Sequence, residues 1–89
     1  MNTIIIRHGV NDFDNWKAAY DDDAAAREAH GLTQLGVHRD VADPNVVTVA
    51  LRASDLANAE VFLASDDLRE TMQSAGVISQ PDVWITTDV

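Results

Sequence analysis

Apolar positions change their period along this chain, and each change marks an element. Thr3 to Val10, "TIIIRHGV", is short and β-branched, as a strand should be. Asn11 or Asp12 can then cap a helix. Phe13, Trp16, Tyr20, Ala24 and Arg27 recur at helical spacing, and Gly31 closes that helix from the C′ position. Leu32 to Asp40 alternates as a second strand. "ADPN" at 42–45 is a turn with proline at a suitable position, and Val46 to Arg52 returns as a third strand, so the two form a hairpin. Ser54 is expected to cap a helix carrying Leu56, Ala59 and Leu63. Ser65 or Asp66 recaps a further segment with Leu68, Met72 and Ala75 on one side, ended by Gly76, although one continuous rod also fits this stretch. After "SQPD", Val83 to Asp88 makes a fourth strand.

The predicted order is βαββαβ, an α+β chain of the ferredoxin-like kind spanning residues 1–89 as one domain. Right-handed crossovers place both helical segments on one face of a four-stranded antiparallel sheet. Alternation puts Ile4, Ile6 and His8 on the helix side of the first strand and Ile5 and Arg7 on the other. In the third strand Val47, Val49 and Leu51 oppose Val46, Thr48 and Ala50. The uncovered sheet face is thus partly apolar, and two such faces meeting across a two-fold axis would bury it. A homodimer through the sheet face opposite the helices is expected, with Arg7 at that interface or its rim.

Composition supports the need for a partner. A chain of 89 residues removes only roughly 60–65% of its unfolded surface on folding, and with no cysteine it has no disulfide to compensate. Fifteen acidic residues against six basic ones give a formal charge of −9, which repels nucleic acid and anionic membrane surfaces. The central strands also lack the exposed aromatics by which RNA-recognition domains of this strand order stack bases. No apolar run approaches the roughly 18 residues of a membrane span, so a cytoplasmic protein is expected.

The stretches "VNDFDNWKAAYDDDAAAREAHGL", "RDVADPNVVTVALRASDLANAEVFLASDDLRETMQSAGV" and "PDVWI" resemble small antibiotic-biosynthesis-monooxygenase-like proteins of the dimeric α/β-barrel superfamily. The most telling piece is "FLASDDLRETMQSAGV", because this family often breaks its second helix at a Ser-Asp or Ser-Pro step. The resemblance implies the dimeric barrel and a cleft in each subunit between sheet and helices. That cleft would be lined by Ile4, Ile6 and His8 and by Trp16, Tyr20, Phe62, Leu63, Leu68 and Met72. Ring-opening of haem is not implied. On alignment at "FLASDDLRETM", Ile6, Phe62 and Met72 fall where haem-degrading relatives carry asparagine, tryptophan and a histidine ligand.

Cofactor-independent chemistry asks for less: a dry pocket, a base and one or two orienting groups. His8 is the candidate base and Ile6, Trp16, Tyr20, Phe62, Leu68 and Met72 are the candidate cleft residues. No cofactor or metal is expected. His30 sits in a last helical turn, where a cation complements the helix dipole, and His8 and His38 lack a close-spaced partner ligand. "HRD" at 38–40 matches a kinase motif in a chain too short for a kinase, and no serine lies in a "GxSxG" turn. Two functions remain: oxygenation or cyclisation of a flat aromatic or polyketide-like molecule, or a non-catalytic dimer that binds a small apolar ligand or serves as an accessory subunit.

Overall fold

Eight elements succeed one another in the order the hydrophobic pattern implies, with one additional break. The computed structural model describes residues 1–89. The elements are β1 (Asn2–Gly9), α1 (Phe13–Asp22), α2 (Ala24–Ala29), β2 (Leu32–Arg39), β3 (Val46–Ala53), α3 (Leu56–Leu63), α4 (Asp66–Ser74) and β4 (Asp82–Thr87). The strands form one antiparallel sheet in the order β2-β3-β1-β4, with β1 and β3 central, which is the ferredoxin-like arrangement.

Register decides which side chains face the helices. Ile4 lies opposite Leu51 and Ile85, Ile6 opposite Val49 and Val83, and His8 opposite Val47. Of these inward residues Ile4, His8, Val47, Val49 and Leu51 are buried, packed with Trp16, Ala59 and Phe62 from the helices. Each large aliphatic side chain withdrawn in this way contributes roughly 1.5–3 kcal/mol. On the outer face Ile5 sits between Ala50 and Trp84, flanked by the ion pairs Arg7–Asp40 (3.3 Å) and Arg52–Asp88 (3.4 Å). Trp84 is half exposed there.

A bulge at Leu35 interrupts the alternation of β2: Gln34 pairs with Leu51, but Gly36 already pairs with Ala50. One extra residue reverses the facing of the rest of the strand. Val37 turns inward opposite Val49, and His38 turns outward opposite Thr48, its ring lying over Gly36.

The expected first helix is two. It ends at Asp23, whose backbone N–H is shared between the carbonyls of Ala19 and Tyr20, and restarts as α2. Three successive aspartates are poor helix formers, and the Tyr20 carbonyl accepts a second hydrogen bond from the Arg27 guanidinium at 2.7 Å, holding the turn open. A second correction concerns α3, which is capped by Asp55, accepting from the Asn58 N–H at 3.3 Å, and not by Ser54. The Ser54 hydroxyl is engaged with the Gly31 carbonyl at 3.2 Å. The second helical segment is broken at Ala64–Ser65. Ser65 caps α4 by accepting from the Leu68 N–H (3.1 Å) while donating to the Phe62 carbonyl (2.7 Å).

Gly31 and Gly76 both come after helices with positive φ, 72° and 86°, the left-handed conformation that glycine adopts without strain. At Gly76 there is a further reason, since a Cβ would run into the Asn11 side chain. The backbone bond from Asn11 N–H to the Gly76 carbonyl (2.9 Å) and the bridge between Val10 and Val77 then tie the exit of β1 to the end of α4.

Candidate functional site

The inward face of β1 and β3 provides one wall of a cavity beneath the helices. Ile6 and His8 contribute from β1, Val49 and Leu51 from β3. His8 is 5% exposed, and its Nδ1 is sealed from solvent without a hydrogen-bond partner. Burial pushes the imidazole pKa below its ordinary 6.5, partly offset by the residue's own backbone, which lies near the ring but not in hydrogen-bonding geometry. At neutral pH the ring is therefore uncharged, with one nitrogen protonated and the other basic.

A column of rings continues from His8 along α1. His8 meets Trp16 edge-on at 5.6 Å, and Trp16 stacks on Tyr20 at 4.9 Å. The four-residue spacing of Trp16 and Tyr20 on a helix brings their rings together, and the buried Trp16 anchors the pair to the core. The Tyr20 hydroxyl donates to Gln34 Oε1 (2.9 Å), fixing the ring to β2. Burial raises its pKa, the Arg27 cation lowers it in part, and Asp21 adds a smaller upward push. Arg27 closes the column: its guanidinium carbon lies 3.6 Å from the centre of the Tyr20 ring, and the residue is 8% exposed.

The opposite wall comes from α3 and α4, with Phe62 and Leu63 from the first and Leu68, Thr71 and Met72 from the second. No residue of α4 is fully buried, so this helix covers the cavity while only Leu68 packs against the core beneath it. The volume of this cavity is about 70 Å³. This is room for about two waters at the bulk volume of roughly 30 Å³ each. Beyond Leu68 and Met72 lies a larger groove of about 520 Å³, bounded by α4, the 77–81 loop and Val83. Ile6, Leu63, Leu68 and Met72 border both spaces, so a shift of α4 would join them.

Of the nine residues expected to line the cleft, eight do: Ile6, His8, Trp16, Tyr20, Phe62, Leu63, Leu68 and Met72. Ile4 does not line it; it lies fully buried in the core. His38 faces away on the outer sheet surface. His30 ends α2 with its Nδ1 2.9 Å from the Ala26 carbonyl, its ring against Phe62 at 4.8 Å. No group of three or more metal-ligating side chains converges. Seven lining residues escaped sequence reasoning, and two of them are charged, Arg27 and Asp23. Arg27 fits the helical period as well as any apolar residue, and that coincidence of a cation with the buried stripe was the available signal. Asp23 belongs to an acidic run whose other members, Asp21 and Asp22, are exposed as expected.

No family model matches the chain, and no curated protein matches it. Among solved structures, a protein from Bordetella bronchiseptica provisionally named as an antibiotic biosynthesis monooxygenase superposes with a TM-score of 0.77 at 19% identity, covering 99% of this chain and 96% of that one. A similarly named protein from Caulobacter crescentus gives 0.76 at 13% identity, covering 99% of this chain and 89% of that one. A variant of SnoaB, a cofactor-independent oxygenase from Streptomyces nogalater, gives 0.74 at 15% identity, covering 98% and 91%. At such identities the likeness is one of fold: this chain has the ferredoxin-like fold of the antibiotic-biosynthesis-monooxygenase-like proteins.

Proposed function

We propose that this chain, built on the fold of those proteins, forms a homodimer through its outer sheet face and binds one flat, apolar, weakly acidic molecule in the cavity of each subunit. There it promotes oxygenation or proton-transfer-driven cyclisation without a cofactor. One observation carries the reading: His8, buried and with its pKa lowered, lies in the largely apolar wall of the cavity.

In this mechanism the neutral imidazole removes a proton from an acidic C–H or phenol of the bound molecule. Trp16 and Tyr20 hold the molecule flat, and the apolar lining keeps water away. The resulting carbanion or phenolate reacts with dioxygen as the co-substrate: one oxygen becomes the new carbonyl, and the other leaves as water. In a cyclisation the carbanion attacks a carbonyl of the same molecule and recovers a proton from the imidazolium. Leu68 and Met72 must yield to seat it, because the 70 Å³ of the cavity is smaller than any such molecule.

The same small volume favours a second reading, a non-catalytic dimer that holds a small apolar ligand or serves as an accessory subunit. A thermal-shift panel of phenols, quinols and polyketide-like aromatics, repeated on His8→Ala, tests both. Ligands that stabilise both forms while only the native protein consumes oxygen support the enzyme. Stabilisation with no turnover by either supports the binder, and unaltered melting across the panel refutes both.

A further inference from the structure

Arg27 is the buried cation of this molecule, and it has no carboxylate. Ion pairs engage Arg7, Lys17, Arg52 and Arg69, all substantially exposed, but not Arg27. Its guanidinium lies over the Tyr20 ring and donates one hydrogen bond, from Nη1 to the Tyr20 carbonyl at 2.7 Å. The remaining nitrogens are not sealed off: the one buried side-chain polar atom left without a partner is His8 Nδ1, so Nε and Nη2 meet accessible space. Arg27 lines the cavity between the sheet and the helices. Asp23 lines it too, yet forms no ion pair with the guanidinium.

The geometry of the free donors is specific. With Nη1 committed to the backbone, the remaining edge of the planar fork carries Nε–H and one N–H of Nη2, two parallel donors. That edge matches the two oxygens of a carboxylate. Its setting, an apolar chamber at one end of a stack of aromatic rings, adds a flat hydrophobic body to the requirement. Resting on the reading of the cavity as a ligand site, we propose that the ligand is an aromatic acid whose carboxylate is held by the Nε–Nη2 edge of Arg27. Its ring system lies along Tyr20 and Trp16 toward His8.

The rest of the molecule sharpens the test. A chain of formal charge −9 repels anions everywhere else, so preference for an anionic ligand requires a local cation. The probes are 2-naphthoate and the neutral, nearly isosteric 2-naphthamide, titrated by calorimetry. Methyl resonances of Ile6 and Met72 report whether the cavity is the site. Native protein should bind the naphthoate at least about tenfold more tightly. Arg27→Gln should bring the ratio near one while leaving naphthamide affinity within about twofold, and Arg27→Lys, charged but without the fork, should fall between.

Should the variants fail to fold, the native Arg27 Nε–H resonance decides: a downfield shift with naphthoate and none with naphthamide is expected. Equal affinity of the two probes for native protein, or a preference that survives Arg27→Gln, overturns the assignment to Arg27 and leaves the cavity as a ligand site. If neither probe moves the Ile6 and Met72 methyls, the assignment is refuted, while the proposed function stands or falls by the thermal-shift panel.

Discussion

Replacing His8 by leucine should make the protein less sensitive to acid. The native imidazole has its pKa lowered by burial, so the unfolded chain, titrating near 6.5, takes up a proton that the folded chain resists. A group with a depressed folded pKa leaves stability intact above the unfolded value. The loss begins near pH 6.5 and accrues as pH falls to the folded pKa, at up to about 1.4 kcal/mol per pH unit for one proton. Leucine carries no proton and removes this loss. It also removes the unpartnered Nδ1, which costs about 1–3 kcal/mol at any pH. His8→Leu should therefore be at least as stable as the native protein at pH 7.5, with a lead that widens below 6.5.

Urea unfolding between pH 7.5 and 5 measures the difference directly. Trp16, in edge contact with His8, is the natural reporter, and Trp84→Phe in both proteins removes the exposed second tryptophan. Carboxylates such as Asp40, whose pKa is lowered first by the Ala42 and Asp43 backbone N–H groups, titrate alike in both proteins and cancel. A lead that stays constant across this range would refute the account of a buried, neutral His8.

Phe62, buried against His30 beneath α3, should cost about 3–5 kcal/mol on truncation to alanine, seen as a lower urea midpoint; a loss below about 1 kcal/mol would mean the site collapses onto the space. Ser65→Ala removes the cap of α4 at a cost of about 1 kcal/mol, and hydrogen exchange should locate the loss in Asp66–Ser74 while β1 and β3 keep their protection; uniform loss would contradict a cover separate from the core. Trp84→Glu places a charge on the outer sheet face and should convert a dimeric sedimentation coefficient into a monomeric one; a native protein already monomeric at micromolar concentration would refute the proposed assembly.

How far the sequence could be read depended on whether one periodicity dominated. Ile4, Ile6 and His8 alternate without interruption, and their common facing follows from strand geometry alone. The cavity wall on α1 comes as simply from the spacing of Trp16 and Tyr20. In β2 the bulge at Leu35 lies inside "LTQLGV", where apolar residues support either register, so the outward turn of His38 is set by pairing with β3. The break at Asp23 is invisible to periodicity because Ala24 and Arg27 continue the stripe across it. Competition for one carbonyl, decided in three dimensions, opens the turn. Ser54 and Asp55 are equally good caps by type, and the nearby Gly31 carbonyl takes the serine. The volume of the cavity depends on how closely α4 approaches the sheet, which local pattern does not encode.

The cover over that cavity has a consequence for descent as well as for binding. Because α4 fully buries none of its residues and only Leu68 packs against the core, replacements at Thr71 and Met72 alter the entrance while Ile4, Val47 and Trp16 hold the fold. Lineages that keep the sheet and the ring column are thus free to change which molecules they admit by rewriting one short helix. A scaffold divided in this way can accumulate new specificities without first acquiring spare stability.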